Sequence, residues 1–159
     1  LVEDLLFLAE ADQNNQPLYK IPVKINSLLR EVVNDFKNPR LEIIDGEQIE
    51  ITGDIEALKK MFTAIIDNAL IYSTEKVSIK IEKFTVKITD TGIGIAPENL
   101  DRIFDRFFRV DKSRTKIDGR SLFGLGLPIA KWIADNHNIK IKVNSKIGGG
   151  STFTLTFSN

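Results

Sequence analysis

Apolar residues recur with the spacing of a helix in four stretches of the chain, which predicts four main helices. The predicted helices cover about residues 1–12, 26–37, 54–72 and 122–136, with a short one near 97–104. In the first helix the apolar residues are expected mostly on one face, namely Val2, Leu5, Leu6, Leu8 and Ala9. This helix is either the end of a longer one or an ordinary first helix packed on the core.

Alternating apolar and polar residues predict strands between these helices. The strands are expected at residues 19–25, 41–44, 49–52, 77–82, 84–90, 139–145 and 152–157. Asn26 is expected to cap the helix after the first strand, and Asn38-Pro39 to end it. Because helices and strands do not alternate strictly, the order favours a two-layer α/β sandwich with a mixed sheet over a doubly wound sheet.

Composition limits the class of protein. The chain has 159 residues, 42% hydrophobic and 28% charged, which is typical of one globular domain. Lys plus Arg and Asp plus Glu are equal at 22 each, so no overall charge favours nucleic acid or an anionic membrane. The lack of cysteine excludes disulfides and cysteine catalysis. Short apolar runs and a start at Leu1 lead us to expect a soluble piece of a longer protein, which is either soluble or membrane-bound as a whole.

Two glycine-containing segments carry candidate chemistry. In 90-DTGIGI-95, directly after a predicted strand, the glycines let the backbone approach a ligand, and Asp90 can accept a hydrogen bond from an exocyclic amine. Segment 124-GLGL-127 leads into a helix, whose free N–H groups and dipole suit phosphate. An ordinary turn and a plain helix entry explain these two segments about equally well.

Other polar positions have similar alternatives. The amide of Asn68 on the long helix is suited to hydrated Mg²⁺, which takes few protein oxygens, or it is bonded to backbone in the core. Segment 147-IGGGSTF-153 is either part of a site or a hairpin bend. The single histidine, His137, is expected at a helix end, interacting with the helix dipole. Trp132 is expected in the core.

Taken in this order, the four segments around Asn68, 90–95, 124–127 and 147–153 resemble the ATP-binding catalytic domain of sensor histidine kinases, within the wider GHKL group that includes gyrase B, Hsp90 and MutL. Segment 103-IFDRFFRVDKSR-114 resembles the phenylalanine-containing box of histidine kinases. The resemblance implies a Bergerat-type ATP-binding fold, an α/β sandwich with a mixed sheet and a mobile ATP lid.

The first helix, 2-VEDLLFLAEAD-12, is similar to the end of the second helix of the kinase dimerisation domain. This similarity implies two parts of the chain. Residues 1–16 would be the end of that helix and a linker, and residues 17–159 would be the ATP-binding domain.

The resemblance also implies roles for individual residues. Asn68 would hold Mg²⁺, Asp90 would read adenine, and Arg109 would reach the phosphates. The other residues expected to bind ATP are Tyr72, Gly92, Gly94, Ile95, Gly124, Leu125, Gly126, Leu127, Ser151 and Thr152. The residues expected to anchor or release the lid are Phe104, Phe107 and Phe108.

By the same resemblance, the domain would bind Mg·ATP and transfer the γ-phosphoryl group to a His. That acceptor lies on a dimerisation domain that this chain lacks, in a homodimer, and the phosphoryl group passes on to an Asp of a response regulator. The expected location is cytoplasmic, with no nucleic acid and no membrane contact by this chain. A surplus of positive charge over residues 101–120 could meet phosphate, although a solvated loop explains most of it.

Three places depart from the family pattern. Ala64 stands where an Asn is usual, Ile71 where a Lys or His is frequent, and 121-SLF-123 where glycines are common. The missing amide, cation and glycines predict weak ATP affinity. They also support an alternative, a degenerate nucleotide-binding or interaction module of the same fold. A stand-alone ATPase of the gyrase or Hsp90 type is disfavoured, because no Glu is placed to activate water.

Overall fold

The architecture comes from a computed structural model, which describes residues 1–109, 116–117, 120–121 and 124–158. The helices in this part of the chain are α1 (Val2–Asp12), α2 (Ile25–Phe36), α3 (Ile55–Tyr72) and α4 (Gly126–Asp135), with a 3-10 turn at Pro97–Asn99. The strands are β1 (Ile21–Lys24), β2 (Leu41–Ile44), β3 (Glu50–Gly53), β4 (Val77–Glu82), β5 (Thr85–Asp90), β6 (Lys116–Ile117), β7 (Arg120–Ser121), β8 (Lys140–Lys146) and β9 (Gly150–Thr156).

Five strands form one mixed sheet in the order β2-β4-β5-β9-β8. The β2–β4 pair is parallel and the other three pairs are antiparallel. One face of the sheet is apolar and buried under the helices, with Ile79, Ile88, Phe153 and Leu155 among its residues. The expected two-layer α/β sandwich with a mixed sheet is confirmed.

Helix α3 forms the centre of the core. Asp54 caps it by accepting a hydrogen bond from the N–H of Ala57 at 2.9 Å, as expected for an Asp at this position. Met61, Phe62 and Ile65 are fully buried on its inner side. The helix packs against α2, α4 and the sheet, and the face that carries Asn68 and Tyr72 lines a cleft.

The predicted cap at Asn26 is wrong. Helix α2 begins at Ile25, and Asn26 lies inside its first turn with only 2% of its surface exposed. Its side-chain oxygen accepts from the N–H of Ile49 at 3.0 Å, and its nitrogen donates to Asp45 at 2.7 Å. Because a buried amide must be paired, this residue fixes the loop before β3 rather than the start of the helix.

The predicted apolar face of α1 is for the most part not the face that packs on the domain. Leu8 and Ala11 are its buried residues, and Phe7 packs edge-on against Trp132 of α4 at 5.3 Å between ring centroids. Val2, Leu5 and Leu6, by contrast, are exposed. Contact with α4 selects the face that carries Leu8 and Ala11, so helical spacing alone does not identify the packed side. No helix in the described ranges has both the length and the apolarity needed to cross a membrane.

His137 lies at the end of α4, as expected, but it is not a surface cation. It is 7% exposed, its Nδ1 donates to the carbonyl of Ile133 at 2.7 Å, and its Nε2 accepts from the N–H of Asp54 at 3.1 Å. Burial lowers the pKa of the imidazole. The neutral ring therefore joins the end of α4 to the start of α3.

Candidate functional site

Two adjoining cavities lie beside α3, and together they form one cleft. The inner cavity has a volume of about 50 Å³ and lies at the ends of β5 and β9. The outer cavity extends to the start of α4 and to Leu1 and Asp4 of α1. Residues shared by both cavities are Asn68, Tyr72, Ile103, Phe108, Arg109 and Leu127.

Asp90, the last residue of β5, closes the inner cavity. It is 4% exposed, and its Oδ1 accepts a hydrogen bond from the N–H of Gly92 at 2.8 Å. Burial raises the pKa of the carboxyl, whereas the backbone N–H groups of Gly92 and Ser151 partly lower it. The result is a fixed acceptor at the base of the cavity.

The glycines after Asp90 are required by close backbone contacts. A Cβ on Gly92 would lie 1.9 Å from the carbonyl oxygen of Tyr72. Gly94 has φ of +75°, and a Cβ there would lie 2.1 Å from the carbonyl oxygen of Lys146. This glycine loop, residues 91–95, is therefore held between the end of α3 and the β8–β9 hairpin, and it directs Ile95 into the inner cavity.

The β8–β9 hairpin supplies the facing side of the inner cavity. Ser151 pairs with Asp90 in the β5–β9 register and lines the cavity. Thr152 does not line either cavity, because successive residues of a strand point to opposite faces. Its hydroxyl lies 3.2 Å from that of Thr89 instead. Of this predicted Ser-Thr pair, only Ser151 is in the cleft.

Ser145 is a residue of this region that the sequence analysis missed. Its hydroxyl lies 2.7 Å from the backbone nitrogen of Ile95 and 2.8 Å from the hydroxyl of Ser151. It also donates to the carbonyl of Gly150 at 3.0 Å. The strand register, which sets Ser145 against Ser151, would have been the signal for it.

One face of α3 forms the wall of the cleft. Ala64, Asn68 and Tyr72 follow at four-residue intervals and therefore lie on the same face. Asn68 is half-buried and lines both cavities, whereas Ala64 and Ile71 line the outer one without a polar group. The predicted departures at positions 64 and 71 therefore lie beside the cavity.

The outer cavity ends at the start of α4. Gly124 has φ of +71°, and a Cβ there would lie 2.7 Å from the carbonyl oxygen of Phe108. Residues 124–128 line the cavity, and α4 begins at Gly126, where Leu125 at the N-cap position offers no side-chain hydrogen bond to the first N–H groups. Those N–H groups and the positive end of the helix dipole suit an anion.

The segment that ends at Arg109 connects the two cavities. Arg109 and Phe108 line both, and the ring of Phe108 lies 4.6 Å from the guanidinium of Arg102. Phe104 is half-buried against the core, whereas Phe107 is 59% exposed with φ of +65°. Of the predicted basic segment 101–120, the side chains from residue 110 onward lie outside the described part of the chain, as do the side chain of Ser121 and residues 122 and 123.

The oxygen donors of the cleft suit Mg²⁺. The amide of Asn68 and the carboxylate of Asp67 both lie along the outer cavity. Mg²⁺ binds through one or two protein oxygens and takes its other ligands from water and phosphate. Among the described residues no group of three or more acidic or histidine side chains is placed to hold a metal. This donor set therefore fits an ion that arrives with a phosphate ligand.

Comparison with known proteins gives matches to sensor kinases. Residues 53–159 match the family described as histidine kinase-, DNA gyrase B-, and HSP90-like ATPase. The phosphate regulon sensor protein PhoR of Pseudomonas aeruginosa is 32% identical over 99% of this chain and 38% of its own length. The histidine-protein kinase ArlS of Staphylococcus aureus is 36% identical over 99% of this chain and 37% of its own length.

Solved structures of similar fold also include a histidine kinase. The histidine kinase AdeS of Acinetobacter baumannii has a TM-score of 0.75 and 25% identity, covering 99% of this chain and 76% of that chain. Full-length ShkA, solved with AMPPNP, has a TM-score of 0.76 and 27% identity, covering 97% of this chain and 34% of that chain.

The chain thus spans less than two-fifths of the curated relatives that it matches. The matches confirm the resemblance to the ATP-binding catalytic domain of sensor histidine kinases and do not favour the degenerate module. With two-thirds of its residues matched to the family, the chain belongs to the histidine kinase-, DNA gyrase B- and HSP90-like ATPases.

Proposed function

We propose that this chain binds Mg·ATP in the cleft along α3 and serves as the catalytic domain of a sensor histidine kinase. The observation that carries the proposal is the convergence of Asp90, Asn68 and the start of α4 on one continuous cleft. These three features offer an acceptor for a base, an oxygen for a metal and N–H donors for phosphate. A ligand that needs all three in this order is a purine nucleotide with a phosphate chain.

The base end is the inner cavity. Asp90 accepts a hydrogen bond from the amino group of adenine, while Ile95 and Tyr72 supply apolar surface against the ring. Gly92 and Gly94 keep the backbone close enough for this contact. Ser151 lies opposite Asp90 and completes the polar edge. Support also comes from the relative ShkA, which was solved with the ATP analogue AMPPNP.

The phosphate end is the outer cavity. Gly124, Leu125, Gly126 and Leu127 present backbone N–H groups at the start of α4, and Arg109 supplies positive charge. Asn68 is the residue that would hold Mg²⁺, which neutralises phosphate oxygens when bound. The chain's own contribution is to orient the phosphates and stabilise their charge, which is the main part of phosphoryl transfer catalysis.

The phosphoryl acceptor belongs to another part of the full-length kinase. His137 cannot serve, because it is buried and both ring nitrogens are bonded to backbone groups. We propose that residues 1–16 are the end of a dimerisation helix and a linker, and that residues 17–159 are the ATP-binding domain. The acceptor His then lies on the dimerisation domain of a homodimer, and a response regulator receives the phosphoryl group in the cytoplasm.

The departures at Ala64 and Ile71 weaken binding. Ile71 lines the outer cavity without a cation, and Ala64 lies there without an amide. Loss of one charged hydrogen bond costs about 1.5–3 kcal/mol, so the affinity for ATP is expected to be weak. A Kd of about one micromolar corresponds to a binding free energy near −8 kcal/mol. A measured Kd well below that value would contradict this part of the proposal.

The proposal is tested by calorimetric titration of the chain with AMPPNP, with and without Mg²⁺. Binding that depends on Mg²⁺, and that loses this dependence in Asn68→Ala, is the expected result. Asn34→Ala is the matched control, because it removes an exposed amide from α2, away from the cleft. No binding at millimolar nucleotide would refute the proposed function and favour a degenerate interaction module.

A further inference from the structure

Ser145 in β8 connects three segments around the inner cavity without lining that cavity itself. Its hydroxyl contacts the N–H of Ile95 at 2.7 Å, the carbonyl of Gly150 at 3.0 Å and the hydroxyl of Ser151 at 2.8 Å. Ile95 belongs to the glycine loop, and Gly150 and Ser151 are the first two residues of β9. One hydroxyl thus links β8, the glycine loop and β9 at the base end of the cleft.

The chemistry of these partners fixes the direction of each hydrogen bond. A serine hydroxyl has one proton to donate and two lone pairs that accept. The N–H of Ile95 can only donate, and the carbonyl of Gly150 can only accept. Ser145 therefore accepts from Ile95 and donates to Gly150. Its second lone pair is left for the proton of Ser151, and every hydrogen-bonding position of Ser145 is then filled.

This arrangement decides what Ser151 offers to a ligand. Its proton is directed toward Ser145, so its lone pairs remain for the cavity. Ser151 is 7% exposed and faces the cavity next to Asp90, its register partner in β5. The carboxylate of Asp90 is also an acceptor. The base end therefore presents acceptors from two strands.

We propose that Ser145 is a positioning residue that holds Ser151 as an acceptor, and that it thereby makes the site prefer a purine with an amino group over one with a carbonyl at the same place. The proposal rests on the proposed binding of ATP. A carbonyl oxygen at that place would meet two acceptors and no donor, and an unpaired buried polar group is costly.

The test compares ATP with inosine triphosphate, whose base has a carbonyl in place of the amino group. In Ser145→Ala the hydroxyl of Ser151 is free to turn and donate. The affinity for ATP should fall about three- to tenfold, the range for one neutral hydrogen bond, while that for inosine triphosphate stays or rises. Ser145→Thr keeps the hydroxyl and should restore the wild-type ratio. Thr89→Val is the matched control, because it removes a hydroxyl contact on the opposite sheet face.

The ratio of the two affinities separates positioning from support of the fold. If Ser145→Ala changes the affinities for ATP and inosine triphosphate by the same factor, so that their ratio is unchanged, the assignment is overturned. Ser151→Ala provides a second measurement if Ser145→Ala does not fold. Ser151→Ala should lower the ratio of ATP affinity to inosine triphosphate affinity as much as Ser145→Ala does. The double variant should lower that ratio no further, because the two residues act together. If the wild-type chain binds neither nucleotide, the proposed function fails, and this assignment fails with it.

Discussion

Asp90 and Gly92 are joined by a hydrogen bond of 2.8 Å, in which the backbone N–H of Gly92 donates to Oδ1 of Asp90. A Cβ on Gly92 would lie 3.0 Å from that same Oδ1 and 1.9 Å from the carbonyl oxygen of Tyr72. Glycine at position 92 therefore allows both the hydrogen bond that orients the carboxylate of Asp90 and the close contact with Tyr72. These two contacts connect the end of β5 to the end of α3.

Asp90→Asn should weaken ATP binding at least tenfold with little change in fold. The variant keeps the shape of the side chain but loses the charge, and a hydrogen bond to a charged group contributes about 1.5–3 kcal/mol. Calorimetric titration with Mg·AMPPNP measures the effect. Asp101→Asn, which changes an exposed carboxylate, is the control. Equal affinity in Asp90→Asn and wild type would contradict the adenine-reading role.

Gly94→Ala should destabilise the domain more than Gly148→Ala. Both glycines have positive φ, +75° and +77°, so alanine is strained by about 1–2 kcal/mol at either position. At Gly94 the new Cβ would also meet the carbonyl oxygen of Lys146 at 2.1 Å, whereas at Gly148 nothing lies within 4 Å. Urea unfolding of the two variants compares them directly. Similar losses in both would show that backbone conformation alone, and not the contact, requires glycine at position 94.

Ile71→Lys should tighten ATP binding about three- to tenfold. Ile71 lines the outer cavity, and a cation there would meet the phosphates that α4 and Arg109 bind in our proposal. This gain in affinity is smaller than a buried charged hydrogen bond would give, because position 71 is half-exposed and salt screens the charge of the lysine. Ile44→Lys, at an exposed residue of β2, should leave the affinity unchanged. The gain should also shrink as salt is added.

The stability of the domain should fall as the pH decreases below about 6.5, the ordinary pKa of histidine. Burial lowers the pKa of His137 in the folded state and Lys20 adds to this, while the hydrogen bond to the carbonyl of Ile133 and the charge of Asp54 partly oppose it. The unfolded chain therefore takes up the proton first, and stability that is complete above pH 6.5 is lost as the pH falls through the folded pKa. Urea unfolding at pH 7.5 and pH 5.5 measures this loss.

His137→Gln is the comparison for that experiment. Its side-chain oxygen can still accept from the N–H of Asp54, but it does not titrate. The variant should be less stable than wild type at pH 7.5 and should lose less stability on acidification. The same pH dependence in both proteins would rule out His137 as its source.

Phe107→Ala in the full-length kinase should reduce autophosphorylation while leaving nucleotide binding by the isolated chain unchanged. Phe107 is 59% exposed, and we infer that its ring contacts the dimerisation domain of the full-length kinase. Phe84→Ala is matched to it, since Phe84 is 36% exposed and also has positive φ, +61° against +65°. Unchanged autophosphorylation in Phe107→Ala would contradict a coupling role for this ring.

Much of the fold could be predicted because local signals and packing agree. The cap at Asp54 and the long apolar face after it define α3, and strict alternation defines β4 and β5. The order of the motifs along the chain predicted most of the residues that line the cleft. Where a residue suited two local structures equally well, only its tertiary contacts determined which one formed. Asn26 is such a case, because its amide suits a cap as well as it suits the buried loop that it holds.

The finer parts of the site depended on register. Ser151 and Thr152 are adjacent in sequence, and only the pairing of Asp90 with Ser151 determines which of them enters the cavity. The role of Ser145 depends on a hairpin contact six residues along the chain. The neutral state of His137 depends on Asp54, which lies 83 residues away. Such contacts leave no periodic signal in the chain.

The place of β8 as the outermost strand of the sheet, among the strands that the structure describes, has a consequence for assembly. Lys140, Lys142 and Lys146 are exposed along this outermost strand. Unpaired strand edges are templates for pairing with other chains, and lysine side chains along them oppose it by repulsion and by the cost of desolvating charge. In the homodimer that we propose, two copies of this domain held close together would therefore resist fusing into a continuous intermolecular sheet.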